Sequence, residues 1–190
     1  MKFIKAFSAA GILLINFNAT AQFKLPINNG FRSDIQQVVK DYPHQFASLR
    51  GMEVEKNPQT VEYASLVIPD GAQESSIIKY SSEGKAIYSW QAVMLTTEDF
   101  GEAQKKYKWL FHQIKGLNVT YVTDQYTLRG TYEVPDESRK FTTSILVIQA
   151  PPTPLQKLKV EVSMLFEFPE WKVTLLVYEK EREDEEDGGR

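Results

Sequence analysis

Cysteine is absent from this chain of 190 residues. Disulfide bonds, thiolate metal sites and cysteine nucleophiles are therefore excluded. A bacterial lipoprotein anchor is excluded as well, because it would need a cysteine at the processed N-terminus. The chain is nevertheless long enough to bury around 70% of its unfolded surface, so we expect a stable core without covalent cross-links.

Histidine is scarce, and the common catalytic motifs are missing. His44 and His112 each fall within a segment that is predicted below to form an amphipathic helix. If these helices are regular, each histidine lies roughly 140–160° from the centre of the apolar stripe of its helix, which predicts solvent-exposed side chains. Neither has a second histidine nearby in sequence to complete a metal site. No glycine-rich phosphate loop, G-x-S-x-G elbow or H-E-x-x-H sequence occurs. We therefore expect no metal, no cofactor and no enzymatic activity.

Charge of one sign is concentrated only at the C-terminus. The formal net charge is −3, and the segment 179–190 holds seven acids and three bases. No basic stripe exists that could neutralise phosphates, which argues against a nucleic-acid partner. We expect residues 179–190 to form a disordered acidic tail; the alternative is that this tail binds cations or a basic partner.

Long apolar runs are missing except at the N-terminus. Lys2 and Lys5 precede an apolar stretch from Phe7 to Phe17, and Ala19-Thr20-Ala21 follows. This order predicts a signal peptide over residues 1–21, cleaved before Gln22. The alternative is a membrane anchor, but the stretch is about half of the roughly 20 residues that a membrane span needs. We expect a bacterial periplasmic or secreted protein with no membrane span.

One helical pattern occurs twice. The segment DIQQVVKDYPHQFASLRG (34–51) matches DFGEAQKKYKWLFHQIKG (99–116) at an offset of 65 residues. Counted from Ile35 in the first copy and from Phe100 in the second, apolar residues occur at steps 0, 3, 7, 11 and 14. This spacing predicts one buried stripe on an amphipathic helix. Gly51 and Gly116 are predicted C-terminal caps. Pro43 has no counterpart in the second copy, so we expect only the first helix to break near Asp41–Pro43.

Strand patterns follow each predicted helix. YASLVIPD (63–70) matches RGTYEVPD (129–136) at an offset of 66 residues. These segments begin a series of alternating apolar and polar residues that predicts strands. The predicted strands are Val61–Ile68, Ser76–Tyr80 and Lys85–Leu95, then Gln125–Val134, Phe141–Gln149, Leu158–Phe168 and Trp171–Glu179.

The predicted fold class is α+β, a tandem pseudo-repeat of one helix followed by antiparallel strands. The first half, residues 22–97, would be α-β3, and the second half, residues 98–178, would be α-β4, with the helices packed on one face of the sheet. The alternative is two unrelated α-β stretches with generic patterning. The layout resembles that of β-lactamase-inhibitor-like modules, which are built from two α-β repeats; the resemblance concerns the fold alone.

Three aromatic residues are the candidate binding surface: Tyr88, Trp90 and Trp109. Trp109 falls opposite the apolar stripe of its helix, so either it forms an interface or a neighbouring segment covers it. Tyr88 and Trp90 point to one face of their strand and Ile87 and Val93 to the other. One face meets the helices, and the other is either exposed or buried in a sandwich or a homo-oligomer.

Three hypotheses about function follow. The first is a non-catalytic exported module that binds an unknown protein or a small apolar ligand with a sheet face or a groove. The second is a periplasmic carrier or chaperone with an apolar cavity between sheet and helices. The third is an enzyme of unrecognised type, which would show a cleft with strongly shifted pKa values.

Overall fold

The computed structural model describes residues 29–82 and 85–179. The predicted signal peptide and residues 180–190 of the predicted acidic tail lie outside the described residues. Glu179, the first residue of that predicted tail, is instead the last residue of a strand. Within the described ranges, no helix is long and apolar enough to cross a membrane.

The described chain contains two α-helices, two short 3-10 helices and nine strands. The α-helices are α1 (Asn29–Asp41) and α2 (Phe100–Ile114), and the 3-10 helices are Tyr42–His44 and Thr153–Leu155. The strands are β1 (Arg50–Lys56), β2 (Thr60–Ser65), β3 (Glu74–Ser82), β4 (Lys85–Thr97), β5 (Asn118–Tyr121), β6 (Asp124–Gly130), β7 (Phe141–Ile148), β8 (Leu158–Glu167) and β9 (Glu170–Glu179). All neighbouring strands are antiparallel, in the order β1-β2-β3-β4-β9-β8-β7-β6-β5.

The predicted fold class, a tandem repeat of α-β3 and α-β4 with helices packed on one face, is wrong. One large antiparallel sheet dominates the described chain, and it is accompanied by only two short helices. The sheet continues across the predicted boundary at residues 97–98, because β4 pairs with β9 along most of its length. The main contacts of α1 are with β5, α2 and the first 3-10 helix. The resemblance to β-lactamase-inhibitor-like modules depended on the predicted repeat, so it is no longer supported.

Two of the nine strands, β1 and β5, were not predicted. Strand β1 is irregular against β2, and most of its side chains are exposed. Met52, for example, is 82% exposed. Met52, Glu53, Val54 and Glu55 alternate between apolar and acidic residues, but only over four positions. Both apolar side chains are exposed, so this alternation does not mark a buried face. Strand β5 has only four residues, too few for a periodic signal.

The predicted break at Pro43 is confirmed. Helix α1 ends at Asp41, and Pro43 lies in the 3-10 helix that follows. Gln45 and Phe46 then adopt left-handed backbone conformations, with φ of 56° and 55°. Gly51 is therefore not a helix cap, since it lies in β1. Phe46 is still buried, so part of the apolar stripe is retained after the helix has ended.

Helix α2 follows its prediction closely. Its N-cap is Asp99, whose carboxylate accepts a hydrogen bond from the Glu102 N–H at 2.9 Å. The helix packs against β4, β8 and β9. The buried side chains of this helix are Ala103, Tyr107, Leu110, Phe111 and Ile114. The side of the sheet that α2 covers is called the helix face below, and the opposite side is called the open face.

Candidate functional site

Tyr88 and Trp90 lie on the helix face. Trp90 is fully buried, and its indole N–H donates a hydrogen bond to Ser65 Oγ at 3.0 Å. Tyr88 is half-buried; its hydroxyl accepts a hydrogen bond from Arg50 Nη1 at 3.3 Å. The Arg50 guanidinium also lies 4.8 Å from the centre of the Tyr88 ring. The covered side of β4 is therefore the side of Tyr88 and Trp90, and the side of Ile87 belongs to the open face.

Trp109 is covered by the other helix. Its ring lies 5.1 Å from the Phe31 ring of α1, and the Lys106 ammonium lies 5.0 Å from the centre of the indole. Tyr88 and Trp90 contact residues of β1 and β2 instead. The structure thus brings Tyr88 and Trp90 together on one strand face and places Trp109 in a separate contact between α1 and α2.

The histidines lie on the surface, as predicted. His44 is exposed, with its imidazole 3.5 Å from Asp41. His112 is exposed as well and stacks on the Tyr132 ring at 6.2 Å. Among the described residues, no group of three or more His, Asp or Glu side chains is arranged to hold a metal ion.

The open face is defined by the strand register, because residues directly opposite each other in a sheet point to the same side. One continuous row crosses five strands: Ser76, Gln91, Leu176, Glu161 and Ile145. A neighbouring row consists of Glu74, Val93, Thr174, Ser163 and Thr143. These rows carry hydroxyl, amide and aliphatic side chains with two carboxylates, so the centre of the open face is mixed in polarity.

In the described chain, two connections between strands pack against the helix face. The segment 131–140 contacts α2, since Tyr132 stacks near Phe111 and the Gln104 side chain donates to the Pro135 carbonyl. Leu155, in the segment between β7 and β8, is buried in the same core as α2. On the open face, Phe141 is 51% exposed and Ile145 is 36% exposed. In the described part of the chain, apolar side chains of the open face thus remain in contact with solvent.

Hydrogen bonds between neighbouring strands order several polar side chains of the open face. Tyr178 donates its hydroxyl to Glu161 at 2.6 Å, and Ser163 and Thr174 share a hydrogen bond of 2.5 Å. Burial and then the hydrogen bond to Glu161 raise the pKa of Tyr178, so the phenol stays protonated at neutral pH. The centre of the open face is therefore preorganised by its own side chains.

A second feature is a recess at one end of the helix face. It has a volume of about 220 Å³. The first 3-10 helix and its C-cap, strand β4, the second 3-10 helix and the end of β9 all contribute side chains to it. The lining residues are Tyr42, Pro43, Gln45, Ala86, Tyr88, Pro154 and Glu179.

Of the described residues that line the recess, Glu179 is the charged one. Burial raises the pKa of Tyr42, and the negative charge of Glu179 adds a smaller effect in the same direction. The Lys157 ammonium lies 3.8 Å from Glu179 Oε1. The recess thus combines tyrosine and proline walls with a carboxylate that attracts ammonium groups.

Sequence reasoning did not find this recess. Its lining comes from four segments that are distant along the chain, and only Tyr88 was among the predicted site residues. Pro43 was the one residue whose type indicated part of this geometry, because it marks the end of α1. The chain after that break directs Gln45 towards the recess. The pairing of β4 with β9, which brings Ala86 and Tyr88 to the same end of the sheet as Glu179, has no local signature.

Comparisons of the chain with protein-family profiles, with curated proteins and with solved structures found no match.

Proposed function

We propose that the chain is an exported, non-catalytic binding module that docks a folded protein on the open face of its sheet. The observation that carries the proposal is the open face, on which, among the described residues, Phe141 and Ile145 remain exposed beside hydrogen-bonding side chains. Exposed apolar area rimmed by polar residues can mark an interaction site, and Phe141 and Ile145 supply such area here.

The size of the open face suits a protein partner. In sheet order, seven strands lie from β2 to β6. With a spacing of about 4.8 Å and an average length of roughly 30 Å, they give the open face an area of about 900 Å². A stable interface between two proteins buries about 800 Å² on each side. A small ligand would contact only a fraction of this area, and small ligands are usually bound in concave sites.

The chemistry of the open face favours a partner other than a second copy of the chain. The two central rows are rich in Ser, Thr and Gln, whereas homodimer interfaces are about 65% apolar. The charges on this face are mixed: Glu161 lies between Lys159 of its own strand and Lys172 of β9. Mixed charge does not suit nucleic acid, which requires a consistently basic surface.

The alternative of a carrier with an apolar cavity between sheet and helices stays a prediction. Large side chains such as Trp90, Tyr107 and Phe111 fill the described core between sheet and helices. Because these side chains fill the core, the carrier hypothesis has less support than the hypothesis of a docking module that uses the open face.

Site-specific photo-crosslinking in the natural host tests the proposal. A photoreactive amino acid is placed at Ile145 on the open face and, as a matched control, at Gln37, which is exposed on α1. We expect one discrete adduct from position 145 and none from position 37. The captured protein, once purified, should bind the wild-type chain at least tenfold more tightly than Ile145→Lys, a difference of about 1.4 kcal/mol.

Three outcomes would contradict the proposal. The first is an equal adduct from both positions. The second is an adduct containing two copies of the chain, which would make the open face a homodimer interface. The third is unchanged binding by Ile145→Lys, provided that thermal unfolding shows the variant to be folded; Gln37→Lys is the control for added charge.

A further inference from the structure

We propose that the recess beside Tyr42 and Glu179 binds a small organic cation, such as an alkylammonium or guanidinium group. The recess lies at one end of the helix face, because Tyr88 in its lining points to that side. It is therefore separate from the open face, and the two proposals stand or fall independently.

The walls of the recess suit an organic cation. Tyrosine rings attract cations through the negative faces of their π-systems, and proline rings offer rigid apolar contacts. The Tyr88 ring is already contacted by the Arg50 guanidinium, whose hydrogen bond to the Tyr88 hydroxyl holds the phenol in place. Tyr42 is thus the ring that would contact the cation, with Tyr88 and Pro154 as side walls.

The carboxylate of the recess gives the preference for positive charge. Glu179 lies in a partly buried position, with its side chain 23% exposed, so its charge is less screened than that of a surface acid. Lys157 pairs with it at 3.8 Å from a more exposed position. This ion pair acts as an internal competitor, because a ligand cation would share or displace the Lys157 ammonium.

The shape of the recess is set by the backbone. Pro43 fixes one φ angle of the first 3-10 helix, and Gln45 caps that helix in a left-handed conformation with φ of 56°. Such a conformation is costly for a residue other than glycine and is often retained where a site is formed. A preformed recess loses little entropy when a ligand enters it.

An NMR titration of the purified protein with tetramethylammonium chloride tests the proposal. The signals followed are the Ala86 amide and the Gln45 side-chain amide. We expect saturable shifts with a dissociation constant of about 1–10 mM, as suits a cation of few atoms. tert-Butanol, a neutral molecule of similar shape, and sodium chloride at the same ionic strength should give no saturable shift.

Two substitutions with opposite expected effects make the test specific. Glu179→Gln should weaken binding about fivefold or more, whereas Lys157→Met should tighten it about two- to threefold because it removes the internal competitor. Glu170→Gln, at the other end of β9, makes the same change in net charge and should leave binding unchanged. If Glu179→Gln fails to fold, Lys157→Met still tests the proposal. Tetramethylammonium binding by Lys157→Met that is no tighter than by wild type would overturn it. Shifts that do not saturate, or that tert-butanol reproduces, would overturn it as well.

Discussion

At the scale of single residues, the aligned aspartates Asp34 and Asp99 have different roles. Asp99 caps α2, whereas Asp34 lies inside α1, next to the turn that contains Asp70. Burial raises the pKa of Asp34, and the backbone N–H of Asp70 partly opposes this shift by donating to the carboxylate. A match of residue types therefore did not indicate a match of environments.

Substitution of Asp34 should change how stability depends on pH. Because the pKa of Asp34 is raised above 3.8 in the folded state, the folded chain binds this proton more tightly than the unfolded chain. The contribution of Asp34 to stability is then fully present below pH 3.8 and is lost as the pH rises through the folded pKa. Asp34→Asn should remove this loss, so its free energy of unfolding relative to wild type should rise between acidic and neutral pH in urea titrations.

The control for this prediction is Asp136→Asn. Hydrogen bonds from Ser138 hold the pKa of Asp136 below its usual value, so its contribution is present above pH 3.8 and is lost as the pH falls. The two variants should therefore deviate from wild type in opposite directions. A parallel pH dependence for wild type and Asp34→Asn would refute the assignment.

At the scale of elements, the aligned glycines Gly51 and Gly116 show the same divergence. Gly116 follows α2 with φ of +78°, and nothing lies within 4 Å of where a Cβ would be. At Gly51, in β1, a Cβ would lie 2.9 Å from the Ala64 carbonyl oxygen. One glycine is needed for its backbone conformation and the other for close approach of two strands.

We expect Gly116→Ala to lower the free energy of unfolding by about 1 kcal/mol, because a left-handed conformation disfavours a Cβ. No steric term adds to this cost, since the surrounding space is open. Chemical denaturation measures the change. Lys115→Ala, one residue earlier with φ of −58°, is the control and should change stability by less than about 0.5 kcal/mol. Equal stability of both variants would disprove the explanation.

The elements with strong internal periodicity were predicted close to their observed bounds. Leu158–Phe168 was predicted and Leu158–Glu167 is observed, because one side of β8 is buried and the other is not. Strand β1 was not predicted, because its alternation covers only four residues and its apolar side chains, Met52 and Val54, are exposed. The break near Pro43 was predicted, since its ring directly restricts the backbone.

At the scale of the whole molecule, the two predicted halves depend on each other. Trp90 of β4 is opposite Val177 of β9, and both are fully buried. Helix α1, from the first half, contacts β5 of the second half. Each half would therefore expose a large apolar surface if the other were removed.

We expect fragments 22–97 and 98–190, produced separately, to lack a cooperative fold. The reason is that the central β4–β9 pair and the contact of α1 with β5 would both be lost, and the remaining core would be too small. Heteronuclear NMR should show poorly dispersed spectra for each fragment and a dispersed spectrum for the intact chain. A well-dispersed spectrum from either fragment alone would show that this half is an autonomous domain.

Sequence patterns alone were sufficient to infer the absence of thiol chemistry, the position of α2 and its buried stripe, the break at Pro43, and the alternation that forms β7, β8 and β9. These properties follow from residue type and local periodicity. Only the tertiary structure decided that β4 pairs with β9, that α1 lies against β5, and that the side of Tyr88 and Trp90 is the covered one. An alternating strand specifies which side chains share a face, but its backbone groups can pair with any strand of matching register. The open face and the recess therefore became visible only once the sheet was assembled.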